Sequence, residues 1–195
     1  MQNKDFDLEI EDILADNGKK KKKNSGDKGQ RAERELCKKL SARFGKPFER
    51  SVGSGNRWSQ VKGMTQAAKD VYLGDITPPE GFLWVLESKC GYEDKVDIHN
   101  IWLKGNKTLD GFVKQVSDDA TRSGRKPILL YKRNLRPWLA FFRKADRPYL
   151  AGPTGVKPIE FRYSITYEDW MGVALETLLA MEDIKGYDNN DFWFK

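Results

Sequence analysis

An α/β fold, with a mixed sheet packed between helices, is predicted by two kinds of segment and by their order. Residues 29–44 and 109–123 carry apolar side chains at helical spacing, whereas 82–89, 127–133 and 138–143 are short apolar runs that read as buried strands. The order of these segments is helix, strands, helix, strand, strand, helix, which builds a sheet covered by helices.

The first 28 residues read as a tail. An acidic patch from Asp5 to Asp16 is followed by five consecutive lysines, Lys19 to Lys23. Such a run repels itself and cannot bury apolar area, so disorder is expected. The arm has two readings of equal standing, a polycation that adds phosphate contacts and a solubilising tail. The folded domain is placed at 29–195, with a helical C-terminal extension. In its first helix Ala32, Leu36, Leu40 and Phe44 recur on one side, and Gly45-Lys46-Pro47 ends it. A short extended piece, Phe48 to Val52, leads into a Gly/Ser turn at Gly53–Asn56, and the polar stretch Arg57 to Lys69 reads as a surface loop. Asp70 to Ile76 is predicted as a strand closed by the turn Thr77-Pro78-Pro79-Glu80-Gly81. Phe82 to Lys89 is predicted as a central strand, and Leu109 to Ser123 as a helix stopped by Gly124. Strands are expected at Pro127–Arg133 and Trp138–Arg143, and a last helix at Ser164–Met181 on Ile165, Trp170, Val173, Leu175, Leu178 and Leu179.

Composition narrows the function. The 35 Lys and Arg against 29 Asp and Glu give a net charge of +6, which favours polyanions without proving nucleic-acid binding. A single histidine, His99, excludes sites that need two imidazoles. The two cysteines, Cys37 and Cys90, match no zinc spacing and are expected as buried free thiols of a cytoplasmic protein. No apolar run approaches the ~20 residues that cross a bilayer, and the N-terminus lacks the order of a secretory signal.

The chemistry concentrates in Asp75 and in Glu87-Ser88-Lys89. Glu87 and Lys89 are two apart on a strand, so they share a face. An apolar strand that ends in an acid and a base is costly to bury unless the charges pair or hold a metal. Phosphodiester hydrolysis explains the set. Two carboxylates hold Mg2+, with Mn2+ expected to substitute, and the ion offsets phosphate charge and acidifies a bound water. Lys89 positions that water or stabilises the developing charge. For Asp75 and Glu87 to converge, the predicted hairpin must splay or bend. Glu33 on the first helix is the candidate third acid, with Glu35 pointing elsewhere. A lone D…ExK pattern is common in chains this charged; its setting on an apolar strand makes it worth following.

The segment Gly29-Gln30-Arg31-Ala32-Glu33-Arg34-Glu35-Leu36 resembles the opening helix of archaeal-type and phage-encoded Holliday-junction resolvases, nucleases of the PD-(D/E)xK superfamily. Arg50-Ser51-Val52-Gly53-Ser54-Gly55 is similar to their arginine–serine–glycine loop, and Glu87-Ser88-Lys89 to their ExK strand. Gln115 to Ala120 with the strand Ile128–Tyr131 resembles the pair that closes the fold. The resemblance covers roughly residues 29–143. It implies a restriction-endonuclease-like fold, a central mixed sheet flanked by helices, and a Mg2+-dependent endonuclease acting on branched DNA in phage recombination or packaging. It further implies Glu33, Asp75 and Glu87 as metal ligands, Lys89 beside them as the catalytic lysine, and a homodimer whose interface the last helix or Trp138–Phe142 supplies. Arg50, Ser51, Ser54 and Arg57 are the expected DNA contacts. The inserted stretch 57–69 leaves Asp70 competing with Asp75, which is favoured by its spacing to Glu87. A restriction- or exonuclease-type enzyme, or a non-catalytic DNA-binding module, shares most of these features. Gln115 has two readings, a residue reaching the site from its helix and, favoured, a surface residue; Phe82 and Trp84 are read as core, and Trp102, Trp138 and Trp193 as packing more than as wedges.

Overall fold

The computed structural model describes residues 25–51, 65, 72–92, 94–97, 101, 105–152, 155–158, 161–162, 164–183 and 190–194. Helix α1, Ser25–Phe44, lays Ala32, Leu36 and Leu40 on the sheet and stops at Gly45, whose φ of 61° takes the left-handed turn. It starts at Ser25, so the residues from Ser25 to Lys28, assigned by composition to the tail, are helical.

Strands β1 (Glu49–Arg50), β2 (Ile76–Thr77) and β3 (Trp84–Cys90) follow. Helix α2 (Lys107–Ser123) then carries the chain from β3 to β4 (Lys126–Lys132), which runs parallel to β3. Such a crossover needs a helix-sized connection. Its ends are well made: the Asn106 side chain accepts from the amides of Thr108 and Leu109, and Gly124 closes the helix at φ 66°. Strand β5 (Leu139–Arg143) is antiparallel to β4. A separate hairpin, β6 (Tyr149–Gly152) and β7 (Gly155–Pro158), precedes β8 (Ile165–Tyr167) and β9 (Trp170–Ala174). The sheet has seven strands in the order β1-β2-β3-β4-β5-β9-β8, antiparallel except between β3 and β4. No helix among the described residues is long and apolar enough to cross a membrane.

Strand parity sorts the core into two layers. Trp84, Leu86, Ile128, Leu130, Ala140 and Phe142 face α1, whereas Val85, Leu129, Tyr131 and Phe141 face α2 with Leu109 and Val116. This mixed sheet flanked by helices is the restriction-endonuclease-like α/β fold. Phe82 and Trp84 are buried as expected, and so are Trp138 and Trp193; Trp102 lies outside the described residues. The segment α4 (Asn190–Trp193) is tied to the start of β3, where Trp84 Nε1 donates to the Phe192 carbonyl at 2.6 Å and the Leu83 amide to that of Trp193 at 2.8 Å.

Three expectations are corrected. The strand predicted over Asp70–Ile76 is absent at its described end: Tyr72 to Asp75 are bends and turn, and pairing begins only at Ile76. The helix predicted over Ser164–Met181 is a hairpin, β8–β9, followed by the short helix α3 (Leu175–Leu179) and a 3-10 turn, Ala180–Asp183. Its β-branched and aromatic residues pack on a sheet, and Glu168 at φ 51° makes the tight reversal. The helical C-terminal extension is therefore largely strand. Finally, Trp138 and Ala140 to Phe142 are fully buried, and β5 lies between β4 and β9, so this segment has no face left for a dimer.

Gly172 of β9 pairs with Phe141, and a Cβ at this position would lie 2.4 Å from Phe141 Cε1. The ring fills the space a side chain would take, between two buried strands. Gly172→Ala is expected to destabilise the fold by about 1–3 kcal/mol in denaturant titration. Phe141→Leu should recover part of the loss in the double variant.

Candidate active site

Asp75 is placed by backbone, not by a long strand. Gly74 adopts φ 78°, and a Cβ there would sit 2.7 Å from the Leu86 carbonyl oxygen, so only glycine allows the chain to press this closely on β3. The Gly74 amide is bonded by the Asp119 carboxylate from α2. The Asp75 amide then donates to the Leu86 carbonyl at 2.9 Å, and its own carbonyl accepts from the Ser51 amide at 3.0 Å. Because Ile76 pairs with Leu86 in antiparallel register, Asp75 stands across from Glu87. Asp75 precedes the first residue of β2 instead of ending a strand, which is how the two acids meet without any splaying of the hairpin.

The side chains converge. Asp75 Oδ2 accepts from the Ser88 amide at 2.8 Å, and Lys89 Nζ is bonded to Glu87 Oε1. Gln115 Nε2, from α2, donates to the same Glu87 oxygen at 2.6 Å. Asp75 is 7% exposed and Glu87 1%. Burial, then the neighbouring Asp75 charge, push the Glu87 carboxyl up to about 8, and Lys89 opposes them. Burial also raises Asp75, against the pull of Lys89 and the Ser88 amide. Lys89 is itself raised: its two carboxylate neighbours outweigh its desolvation. The group therefore behaves as two acids and one ammonium that share a small number of protons.

Glu33, Asp75, Glu87 and Lys89 line one open cavity of about 560 Å³, together with Gln115 and Tyr92. Glu33, 8% exposed, accepts from Arg50 Nε at 2.6 Å. Ser51 is buried with its hydroxyl 3.2 Å from that of Thr77, so in this arrangement it ties the end of β1 to β2. Ser54, Arg57 and the competing Asp70 lie outside the described residues, as does His99. Glu35 points away, as expected, to Lys132 at 2.7 Å and Trp138 Nε1 at 2.9 Å. Neither cysteine forms a disulfide among the described residues; Cys37 is buried and Cys90 half-buried.

Gln115, for which the sequence favours the surface over the site, bonds Glu87. Asp119, one helical turn on, bonds the glycine before Asp75 and has no place in the sequence reading. Their i, i+4 spacing on one side of α2 is the available signal.

Among the described residues no three Asp, Glu, His or Cys side chains form a ready cage for an ion. Asp75 and Glu87 offer two buried carboxylates, an oxygen-only donor set that fits a hard divalent cation, whose remaining positions are commonly taken by water and substrate phosphate. Glu33 lies on the same cavity but is engaged by Arg50.

The raised Glu87 carboxyl makes stability pH-dependent in the metal-free protein. The unfolded chain loses this proton near the ordinary 4.5 and the folded one only near 8, so stability falls as pH rises between these values and levels off above. Glu87→Gln removes that cost. With chelator present, its Tm at pH ~9 is expected to exceed that of the parent by on the order of 5 °C, and the gap should close near pH ~4. Equal Tm values at both pH values would mean that Glu87 ionises without penalty.

Comparison with known proteins agrees with this geometry. The family described as "Phage putative PDDEXK endonuclease" matches residues 24–193. The chain is also similar to Protein D14 of Escherichia phage T5, 29% identical over 125 residues, which span 63% of this chain and 73% of that protein. No solved structure matches. A match running from the first helix to the segment after β9 takes in every element that positions the acid pair, and the chain belongs to this phage PD-(D/E)xK endonuclease family.

Proposed function

We propose that this protein is a Mg2+-dependent DNA endonuclease, active also with Mn2+, that cuts branched DNA such as a Holliday junction and works as a homodimer. The observation that carries the reading is the meeting of Asp75, Glu87 and Lys89 in one buried cluster that opens to a cavity. Buried acids held against each other are costly to fold, and metal-assisted phosphate chemistry gives that arrangement a use. The branched-DNA part rests on the resemblance of the 29–36 helix and the 50–55 loop to resolvases.

Asp75 and Glu87 would hold the ion, and Gln115 orients Glu87 by occupying one of its oxygens. When bound, the metal offsets charge on the scissile phosphate and acidifies a water. Lys89 Nζ, held at Glu87 Oε1, is placed to donate to a non-bridging phosphate oxygen or to the incoming water. Arg50, paired with Glu33 at the rim, can exchange that partner for a phosphate, which frees the Glu33 carboxylate for the ion. Two cuts of a symmetric junction require two such sites, hence the dimer. The lysine-rich arm before residue 25 adds phosphate contacts of the non-specific kind.

The deciding experiment is a cleavage assay on a four-way junction, a flap and a linear duplex, with Mg2+, with Mn2+ and with chelator. Metal-dependent cutting, fastest on the junction, is expected. Glu87→Gln and Asp75→Asn should each slow it by about a hundredfold or more; undiminished cleavage by Glu87→Gln would remove the assignment. Gln115→Leu is expected to raise the Mg2+ concentration for half-maximal cleavage about tenfold, with saturating rate less affected. An unchanged metal requirement would deny Gln115 its orienting role.

A further inference from the structure

We propose that the turn between β4 and β5, Arg133–Arg136, is a wedge that enters the base stack beside the cleavage cavity, with Leu135 as the inserted side chain. The proposal rests on the nuclease reading above and deepens it, because it names what makes distorted DNA the preferred substrate.

Leu135 is 100% exposed and sits at φ 56°. Both features are unfavourable for the isolated fold: the left-handed conformation crowds the Cβ of a non-glycine residue, and Asn or Gly would serve such a turn better. A strained apolar residue presented wholly to solvent is the form a wedge takes before it meets DNA. Tyr92 shares the pattern, 40% exposed at φ 63°, and these two are the exposed large hydrophobic residues among the described ones. Their positions are related. Cys90 pairs with Lys132 at the C-terminal ends of the parallel strands β3 and β4, so the turns that carry Tyr92 and Leu135 leave the same end of the sheet, with Tyr92 packed on Phe112 of α2. Tyr92 lines the cavity with the acid pair.

The surroundings suit a phosphate backbone. Leu135 lines a second cavity of about 730 Å³ with Lys28, Arg31, Lys132 and Arg133, and this cavity shares Lys28 and Cys90 with the first. Asp27 and Glu35 also border it, but Glu35 is engaged by Lys132 and Trp138. Arg31, Arg133 and Arg136 form no ion pair among the described residues. Lys89 pairs with Tyr131. One strand spacing of ~5 Å and at most ~14 Å of chain from Tyr131 to Leu135 bound the separation at ~19 Å, about five or six base steps at ~3.4 Å each. The insertion point therefore falls within about six nucleotides of a phosphate placed at Lys89. Insertion costs unstacking, and that cost is least at a bulge or branch. Tyr92 then offers a ring for the displaced base to stack on.

The test uses the full chain and two synthetic DNAs, a linear duplex and the same duplex with a single-nucleotide bulge, each carrying 2-aminopurine next to the step to be opened. The parent protein is expected to raise 2-aminopurine fluorescence and to cut the bulged DNA faster. Leu135→Asn keeps a residue that tolerates the left-handed turn. It should leave Tm unchanged or higher and duplex cleavage unaltered, while losing the fluorescence rise and about tenfold of the rate on bulged DNA. Leu135→Met, which keeps a long apolar side chain, should retain both. Parent-like fluorescence and preference in Leu135→Asn would overturn the wedge and leave the nuclease standing, as would a parent protein that cuts both DNAs equally without any rise. A parent protein that cuts neither DNA, with Mg2+ or Mn2+, would overturn the nuclease reading and the wedge with it.

Discussion

The structure turns on two carboxylates held against each other out of water, with one ammonium bonded to Glu87. When both are ionised Asp75 and Glu87 repel, and burial penalises both charges; a proton kept on Glu87 relieves this by letting its carboxyl bond Asp75. They are held by backbone: the Gly74 close approach, the Asp75 amide on the Leu86 carbonyl, and the Ser88 amide on Asp75 Oδ2. Each of those contacts depends on β3 being a straight, fully packed central strand. The core is the device that keeps an unfavourable charge pair in place, an instance of strain at a functional site supported from elsewhere.

The division of labour between the two faces of the sheet follows from this. The α1 face is the drier one, with Trp84, Trp138, Trp193 and the phenylalanines around them. The α2 face carries Glu87 and Lys89 outward along the same parity as Val85, and α2 meets them with Gln115 and Asp119. Helix α1 reaches the cavity only at its N-terminal half, through Glu33 and the Arg50 pair on β1. Thus Lys89 and Gln115 both answer to a single oxygen of Glu87, while Asp75 Oδ2 is held by the Ser88 amide.

Much of this was legible in the amino-acid order. Helices α1 and α2 and strands β3, β4 and β5 are strongly periodic or wholly apolar, and local pattern suffices for such elements. The acid–acid–lysine set was legible too, because charge at the end of an apolar strand is conspicuous. Elements decided by distant partners were not. Strand β2 has two residues, and its register exists only because β1 and β3 flank it, so Tyr72 to Asp75 looked like strand when Gly74 bends them. Residues 164–174 place Ile165, Trp170 and Val173 at spacings that mimic a helix, and β5 decides otherwise by pairing with β9. Gln115 and Ser51 are polar residues of ordinary surface type. Only the tertiary arrangement assigns one to Glu87 and the other to Thr77.

The parallel pairing of β3 with β4 has a kinetic corollary. These strands meet only after the whole of α2 has been made and folded across the sheet, and Glu87 has no Gln115 until then. Non-local pairing of this kind is slow to form. A chain still collapsing holds its acids apart, exposed and separately ionised, so competence to break a phosphodiester arrives with the finished architecture and not before it.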